Sequence, residues 1–196
     1  MKKLNLLTRL LALTLLSGFF MLSACGDDDE GGTPEPTQNV WEIINSRSEL
    51  SGLAAELQAA GLQQLLETAP AATVFAPNNT ALSTLLNTLG IDDFSVVRDD
   101  VAQGVLTYHV AAQTLTSDQV VAPSVIVTVQ GETIGVVDGP ALESGATSDA
   151  TFVTVDLLAT NGVVHVINNV LVPPTIGDLI VATLGTVAQP IYLAAD

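Results

Sequence analysis

Basic residues and cysteine are both scarce in this sequence. Its 196 residues hold 5 Lys and Arg against 21 Asp and Glu, which gives a formal charge of −16. Binding to a phosphate backbone needs clustered Lys and Arg, so we expect no nucleic-acid partner. A disulfide framework and a Cys/His zinc cluster each need several such ligands, and one Cys with two His cannot supply them.

Charged and aromatic residues are also few. The chain is 13% charged and 4% aromatic, whereas 48% of it is hydrophobic. The low aromatic fraction weakens any stacking platform for sugars or bases. The hydrophobic fraction rules out global disorder, and the length suffices for one domain with a sizeable core.

The sequence patterns of catalytic sites are missing as well. It contains no Gly-x-Ser-x-Gly elbow and no Gly-rich phosphate loop. Acidic pairs occur at residues 92–93 and 99–100, but adjacent side chains point in different directions and suit a solvated surface better than acid–base chemistry. We therefore predict that the protein is not an enzyme and holds no cofactor or metal.

Residues 1–24 have the three parts of a secretory signal peptide. A basic start precedes an apolar run over residues 10–22, which is short for a membrane span, and small residues follow. The run Leu22, Ser23, Ala24 and Cys25 resembles the lipobox of bacterial lipoproteins, in which the signal is cut before the Cys. This resemblance implies that Cys25 carries acyl chains such as palmitate, and that these lipids form the contact with the membrane.

The segment from Cys25 to residue 38 predicts a solvated tether. It repeats Gly, Pro and acidic residues and offers nothing to bury. Its acidic run at residues 27–30 is similar to the surface-export signals of lipoproteins in some Gram-negative lineages. We therefore expect a cell-envelope protein anchored in the outer membrane, with its domain facing either the periplasm or the outside of the cell.

Two kinds of pattern divide the rest of the chain. Up to residue 105, Leu and Val recur mainly at helical spacing, interrupted by a short β-prone run at residues 72–76 that ends at Pro77. Residues 106–110 read as strand, and residues 120–172 are rich in Val, Ile and Thr. Asn161 and Gly162 are the strongest hairpin signal. Helices first and strands later predict an α+β fold.

Three of these segments together resemble the fasciclin domain family. They are residues 73–82, the Tyr-His segment at residues 106–110, and residues 161–174. The resemblance implies a β-wedge or sandwich with flanking helices over residues 39–174, followed by a C-terminal helix or tail over residues 175–196. Its signature positions here are Phe75, Pro77, Asn161, Gly162 and His165.

The same resemblance implies adhesion to a surface or matrix protein or to a glycan. The residues associated with such contacts would be Asp156 and Leu157, together with Tyr108 and His109. Other classes of function also stay open on the residues alone: a periplasm-facing carrier of a small apolar ligand, held between helices and sheet, or a structural subunit of an envelope assembly.

Plain structural roles are predicted for several of these residues. A His on a strand, as at His165, usually bonds a loop carbonyl through its ring, and His109 has the same interpretation. Tyr108 is expected to bury its ring with the hydroxyl at a polar edge. Asp156 lies in an apolar run, so its carboxylate either faces solvent as a contact or is anchored by hydrogen bonds.

Overall fold

The computed structural model describes residues 35–92, 94–122, 125–137, 141–145 and 147–177. The predicted signal peptide, Cys25, most of the tether and the tail beyond residue 177 lie outside the described residues. The first elements are helical, as the sequence predicts. They are α1 (Val40–Ser46), a 3₁₀ turn (Ser48–Leu50), α2 (Ser51–Ala59) and α3 (Gln63–Thr68).

Local sequence explains where the helices begin and end. Asn39 accepts a bond from the Glu42 N–H, and the Glu42 side chain accepts one from the Asn39 N–H, which forms a capping box at the start of α1. Helix α4 (Asn79–Leu89) has Asn78 as its N-cap, whose side chain accepts the Ala81 N–H, and it ends at Gly90, whose left-handed backbone (φ 67°) suits glycine.

Helix α5 corrects one prediction. It spans Asp99–Tyr108, after a 3₁₀ turn at Phe94–Val96, so residues 106–108 are helical and not strand. Only Val110–Ala111 (β2) is strand in this region. The apolar positions Val101, Val105 and Tyr108 share one helix face, and burying that face outweighs the β-preference of the Thr-Tyr-His run.

The strands form one seven-stranded sheet in the order β2-β1-β7-β6-β5-β4-β3. The other strands are β1 (Ala72–Pro77), β3 (Val125–Val127), β4 (Thr133–Val137), β5 (Ala141–Glu143), β6 (Ala150–Ala159) and β7 (Gly162–Ile167), with a short helix α6 (Ser117–Val120) between β2 and β3. Helices mainly precede strands, so the predicted α+β arrangement is confirmed.

The sheet curves until its two ends meet. The N–H of Val129, just after β3, donates to the carbonyl of Val110 in β2 (2.7 Å), so the sheet approaches a barrel. Strands β1 and β7, second and third in this order, run parallel, and every residue of both is buried. Parallel strands covered on both faces need nearly continuous apolar sequence, and both strands have it apart from Thr73 in β1 and His165 in β7.

Two clusters of buried side chains make up the core. One lies between the helices and the sheet and includes Trp41, Ile44, Leu53 and Val164. The other fills the inside of the curved sheet and is built around Phe75, with Tyr108, Ile126, Ile134 and Leu142 among its members. Burying each such large side chain contributes about 1.5–3 kcal/mol to the free energy of unfolding.

Candidate functional site

Tyr108, one of the predicted contact residues, is buried at the end of α5. Its side chain is 1% exposed, and its hydroxyl donates to the carbonyl of Thr133 (2.9 Å). Burial, with added repulsion from the Glu132 and Glu143 carboxylates, raises the pKa of Tyr108 to about 12. The phenol therefore stays neutral and joins α5 to β4.

His109 is buried too, at 2% exposure. Its Nδ1 bonds the Val105 carbonyl (2.8 Å), and its Nε2 accepts the Leu171 N–H (2.9 Å), an arrangement that requires the neutral ring. Burial lowers the pKa of His109 to about 4, although the bond to Val105 opposes that shift. Neither side chain reaches the surface, so in the structure Tyr108 and His109 have the internal roles that the sequence also predicts for them.

His165 lies on β7 with the ring interaction expected of it. Its Nε2 bonds the Leu115 carbonyl (2.8 Å), so Nδ1 is left to accept the backbone N–H of Asp156 (3.2 Å). The Phe75 ring stacks on the imidazole (centroids 5.8 Å apart), and Phe152 meets it edge-on. Burial lowers the pKa of His165, and its polar contacts only partly offset this effect.

Asp156 is anchored rather than free. Its Oδ1 accepts the N–H of Ser117 (2.7 Å), and its Oδ2 accepts the Ser117 hydroxyl, so the carboxylate binds the first residue of α6. Burial alone would raise the pKa of Asp156, but these bonds and the nearby His165 hold it below its usual value. Of the two interpretations left open by the sequence, the structure shows the hydrogen-bonded anchor.

The backbone at Asp156 has an unusual conformation. Among the residues that the structure describes, Asp156 is the one non-glycine residue with a positive φ (57°). It lies where the pairing of β6 with β7 shifts register. Asp tolerates the left-handed region better than most residues, so a bulge can form there. Beyond the bulge, Leu157 packs against the helical core cluster and not toward solvent.

The signature positions have structural roles. Asn161 accepts the N–H of Val40 (2.9 Å) and donates to the carbonyls of Leu66 (2.8 Å) and Ala69 (3.2 Å), which joins the β6–β7 turn to α1 and α3. A Cβ on Gly162 would lie 1.9 Å from the Ala72 carbonyl oxygen, so only glycine lets β7 approach β1. Pro77 ends β1 opposite Ile167.

The structure brings the signature segments together at Phe75. Its N–H donates to the His109 carbonyl (2.9 Å) while its ring stacks on His165, so the Tyr-His segment and β7 meet at this residue. These groups contact one another inside the domain, so other residues form the accessible surface.

An exposed apolar face on β6 was missed by the sequence reasoning. Val153 is 57% exposed, Val155 40% and Leu158 46%, and all three lie around Asp156. The sequence Thr-Phe-Val-Thr-Val at residues 151–155 carried the signal, since the two-residue period of a strand puts Val153 and Val155 on the face opposite Phe152.

A second apolar surface lies among the helices; we call it the α4–α5 groove. Most of its lining side chains come from α2, α4, α5 and the stretch Phe94 to Val97 before α5, and they include Glu56, Leu82, Leu89, Phe94, Val97 and Val105. The others are Pro77, His109, Val170 and Val172, which belong to β1 and to the segments after α5 and β7. Its floor measures about 40 Å³, and two depressions of about 290 and 250 Å³, which share Glu56 and Phe94 with it, lie beside it. The groove has the position expected for the apolar site between helices and sheet.

The charged surface of the described residues is acidic. Arg47 pairs with Glu49 (3.0 Å) and Arg98 with Asp100 (2.5 Å), so each described Arg has a carboxylate beside it. No group of three or more potential metal-ligating side chains occurs in the described part of the chain. None of its helices has both the length and the apolarity to cross a membrane.

Comparisons with known proteins place the chain in a family. The sequence model of the Fasciclin domain matches residues 48–173. The chain is 32% identical to transforming growth factor-beta-induced protein ig-h3 of Sus scrofa over 71% of its length, but it spans only 20% of that protein. It is also 32% identical to the uncharacterized protein sll1735 of Synechocystis, with 68% of this chain matching 96% of that one.

A solved structure shows the same fold. It is the FAS1 domain pair of the insect cell adhesion molecule fasciclin I, with a TM-score of 0.61 at 16% identity, covering 72% of this chain and 53% of that one. The order of helices and strands, the signature segments that meet at Phe75 and the match over residues 48–173 agree, and the chain belongs to the fasciclin domain family.

Proposed function

We propose that this protein is a lipid-anchored fasciclin module of the bacterial cell envelope that binds a protein or glycan on a neighbouring surface or matrix. The observation that carries the interaction role is the internal engagement of its polar signature residues. Tyr108, His109, Asp156, Asn161 and His165 all bond within the domain. Such an arrangement supports a rigid scaffold for contacts rather than reactive groups.

The anchoring part of the proposal depends on the N-terminal sequence. The lipobox-like residues 22–25 supply an acylation site, and the acidic, Gly- and Pro-rich segment after Cys25 supplies a spacer. Several acyl chains on one Cys hold a protein stably, because each buried methylene contributes about 0.8 kcal/mol. The domain would then stand away from the membrane with its surface accessible to partners.

The relatives support an extracellular role. Similar chains include parts of ig-h3 and, at 29% identity, of human Stabilin-1, of which this chain spans only 6%. The fold is that of a domain pair from a cell adhesion molecule. A module of this kind recurs within larger proteins, which favours a transferable binding role.

The geometry gives less support to the alternative function, that of a carrier of a small apolar ligand. Binding pockets for such ligands usually enclose roughly 300–1,000 Å³. The apolar floor of the α4–α5 groove measures only about 40 Å³, and the depressions beside it, of about 290 and 250 Å³, have polar residues such as Glu56 and Asp99 in their lining. We therefore favour an interaction surface over a ligand store.

Anchoring can be tested in cells fed an alkyne analogue of palmitate. We expect the wild-type chain and Ser23→Ala, which keeps a small residue before the Cys, to carry the label, whereas Cys25→Ser loses it. Protease added to whole cells should remove the domain if it faces outward and spare it if it faces the periplasm. An unlabelled wild-type chain would contradict the anchor.

Binding can be tested with cells that display the chain. Cells with the wild-type chain should adhere to arrays of envelope proteins, matrix proteins and glycans more strongly than cells that lack it. If removal of the chain leaves adhesion to every ligand unchanged, the interaction role is contradicted, whatever the result of the labelling.

A further inference from the structure

The α4–α5 groove leaves apolar side chains only half covered. Phe94 lines the floor and both open depressions, and Val97 lines the floor and one of them. Leu89 and Val105 are likewise half-buried at the floor. Side chains in this state still hold apolar area that a partner can remove from water.

The walls of the groove favour a helix as the occupant. They come mainly from α2, α4 and α5, which bond their own backbone groups internally, and also from Pro77, the last residue of β1, and Val170 and Val172 after β7. An extended peptide gains affinity by adding main-chain bonds to a strand edge, and these walls offer none, whereas a helix satisfies its own backbone. Helix α4 has 11 residues, so at 1.5 Å per residue the groove suits a helix of roughly three turns.

The charge beside the groove is negative. Glu56 lines all three parts of it, and Asp99 lines one depression. Asp92 lies exposed just after α4, and the nearby cation, Arg98, is already paired with Asp100 (2.5 Å). Opposite charge on a partner raises its association rate and specificity, so basic residues are expected around its apolar face.

From this combination we propose that the α4–α5 groove binds an amphipathic helix of a partner protein, with an apolar face on Phe94 and Val97 and basic residues toward Glu56 and Asp99. The inference rests on the proposed role of the chain as an interaction module. It adds the class of partner and the surface that receives it.

Three model peptides of about 14 residues test the proposal against the full chain. The first carries Leu on one helix face and Lys on the other. The second replaces each Lys with Glu, and the third has the composition of the first with its Leu residues dispersed. Measured by fluorescence anisotropy at 0.15 M salt, the first should bind at least about tenfold more tightly than either other peptide.

Matched variants locate the binding surface. Val97→Ser in the groove should weaken binding of the Leu/Lys peptide about tenfold, whereas Val127→Ser on exposed β3 should not change it. Asp99→Lys should weaken binding of the Leu/Lys peptide and strengthen binding of the Leu/Glu peptide. Glu67→Lys makes the same charge change on α3, away from the groove lining, and should change the affinity for both peptides less. Thermal unfolding confirms that each variant is folded.

The outcomes separate this proposal from its competitors. Equal binding of the amphipathic and dispersed peptides would show general charge attraction and overturn it. Binding that appears only after deletion of residues 178–196, or after dilution of a self-associated chain, would assign the groove to the tail or to a second copy and overturn it too. A labelled, adherent chain that binds none of the peptides would refute this inference alone and leave the proposed function standing.

Discussion

Asp156 on β6 caps the first residue of α6 through both oxygens of its carboxylate. One oxygen accepts the Ser117 N–H (2.7 Å) and the other the Ser117 hydroxyl. The N–H of Asp156 in turn donates to Nδ1 of His165 (3.2 Å), whose Nε2 bonds Leu115 just before α6. One acidic residue thereby ties β6, β7 and the β2–α6 connection together.

Removing this carboxylate should destabilise the fold. Asp156→Ala loses both bonds to Ser117 and places Ala at φ 57°, so we expect the free energy of unfolding to fall by about 2 kcal/mol or more. Asp156→Asn keeps an acceptor and a tolerance for that φ, and should lose about half as much. Urea unfolding at pH 7 measures both.

Asp118→Ala is the control, because it removes a carboxylate from the adjacent position in α6 without touching this network. It should change stability by less than about 0.5 kcal/mol. Equal effects of Asp156→Ala and Asp118→Ala would mean that the bonds to Ser117 contribute little.

The buried His109 should make the fold sensitive to acid. Its pKa is about 4 in the folded protein and about 6.5 in the unfolded chain, so between these values the unfolded chain binds more protons. Stability should therefore fall as pH drops from 6.5 to 4, by about 3 kcal/mol for this group. The lowered pKa of His165 acts in the same direction, and that of Asp156 adds a loss at still lower pH.

Urea unfolding measured at intervals from pH 7 to pH 4 gives the dependence of the free energy of unfolding on pH. His109→Gln keeps a donor and an acceptor but does not titrate, so its stability at pH 7 should be lower and its pH dependence shallower. Wild-type stability that stayed constant from pH 7 to pH 4.5 would contradict the neutral, buried state of both histidines.

Local signals in the sequence predicted much of the fold. The caps at Asn78 and Gly90 and the β6–β7 hairpin depend on neighbouring residues, so they could be recognised without the tertiary structure. Residues 106–108 were assigned to a strand because Thr-Tyr-His favours strands locally, whereas burial of the α5 face decides the structure. Ser117, which bonds Asp156, and Leu171, which donates to His109, lie 39 and 62 residues away from them, and no local pattern reports such contacts.

The hairpin between β6 and β7 was predicted correctly, but Gly162 is needed there for a different reason. Asn-Gly pairs signal a turn because both residues accept positive φ. Here Thr160 and Asn161 form the turn, and Gly162 is already the first residue of β7, where its missing side chain admits the Ala72 carbonyl.

A methyl group at Gly162 should therefore be poorly tolerated. Gly162→Ala would place Cβ 1.9 Å from a backbone oxygen of β1, and neither strand can move without disturbing the buried parallel pairing of β1 with β7. We expect a loss of about 3 kcal/mol in urea unfolding, at the upper end for overpacked cores. Gly104→Ala is the matched control, since it meets only the terminal methyl of Ile176, which can rotate away. Equal losses in the two variants would refute the steric argument.

Asn161 should contribute to stability as a link between helices and sheet. Asn161→Ala would leave the Val40 N–H and the carbonyls of Leu66 and Ala69 without this partner, and we expect a loss of about 3 kcal/mol. Hydrogen exchange should also accelerate at the Val40 amide, which reports the α1 contact directly. Asn169→Ala removes a half-buried amide that bonds the Ser148 carbonyl and the adjacent Val170 N–H without joining a helix to the sheet, and it should cost about 1 kcal/mol or less. If both variants unfold at the same urea concentration with unchanged exchange at Val40, Asn161 does not hold α1 and α3 against the hairpin.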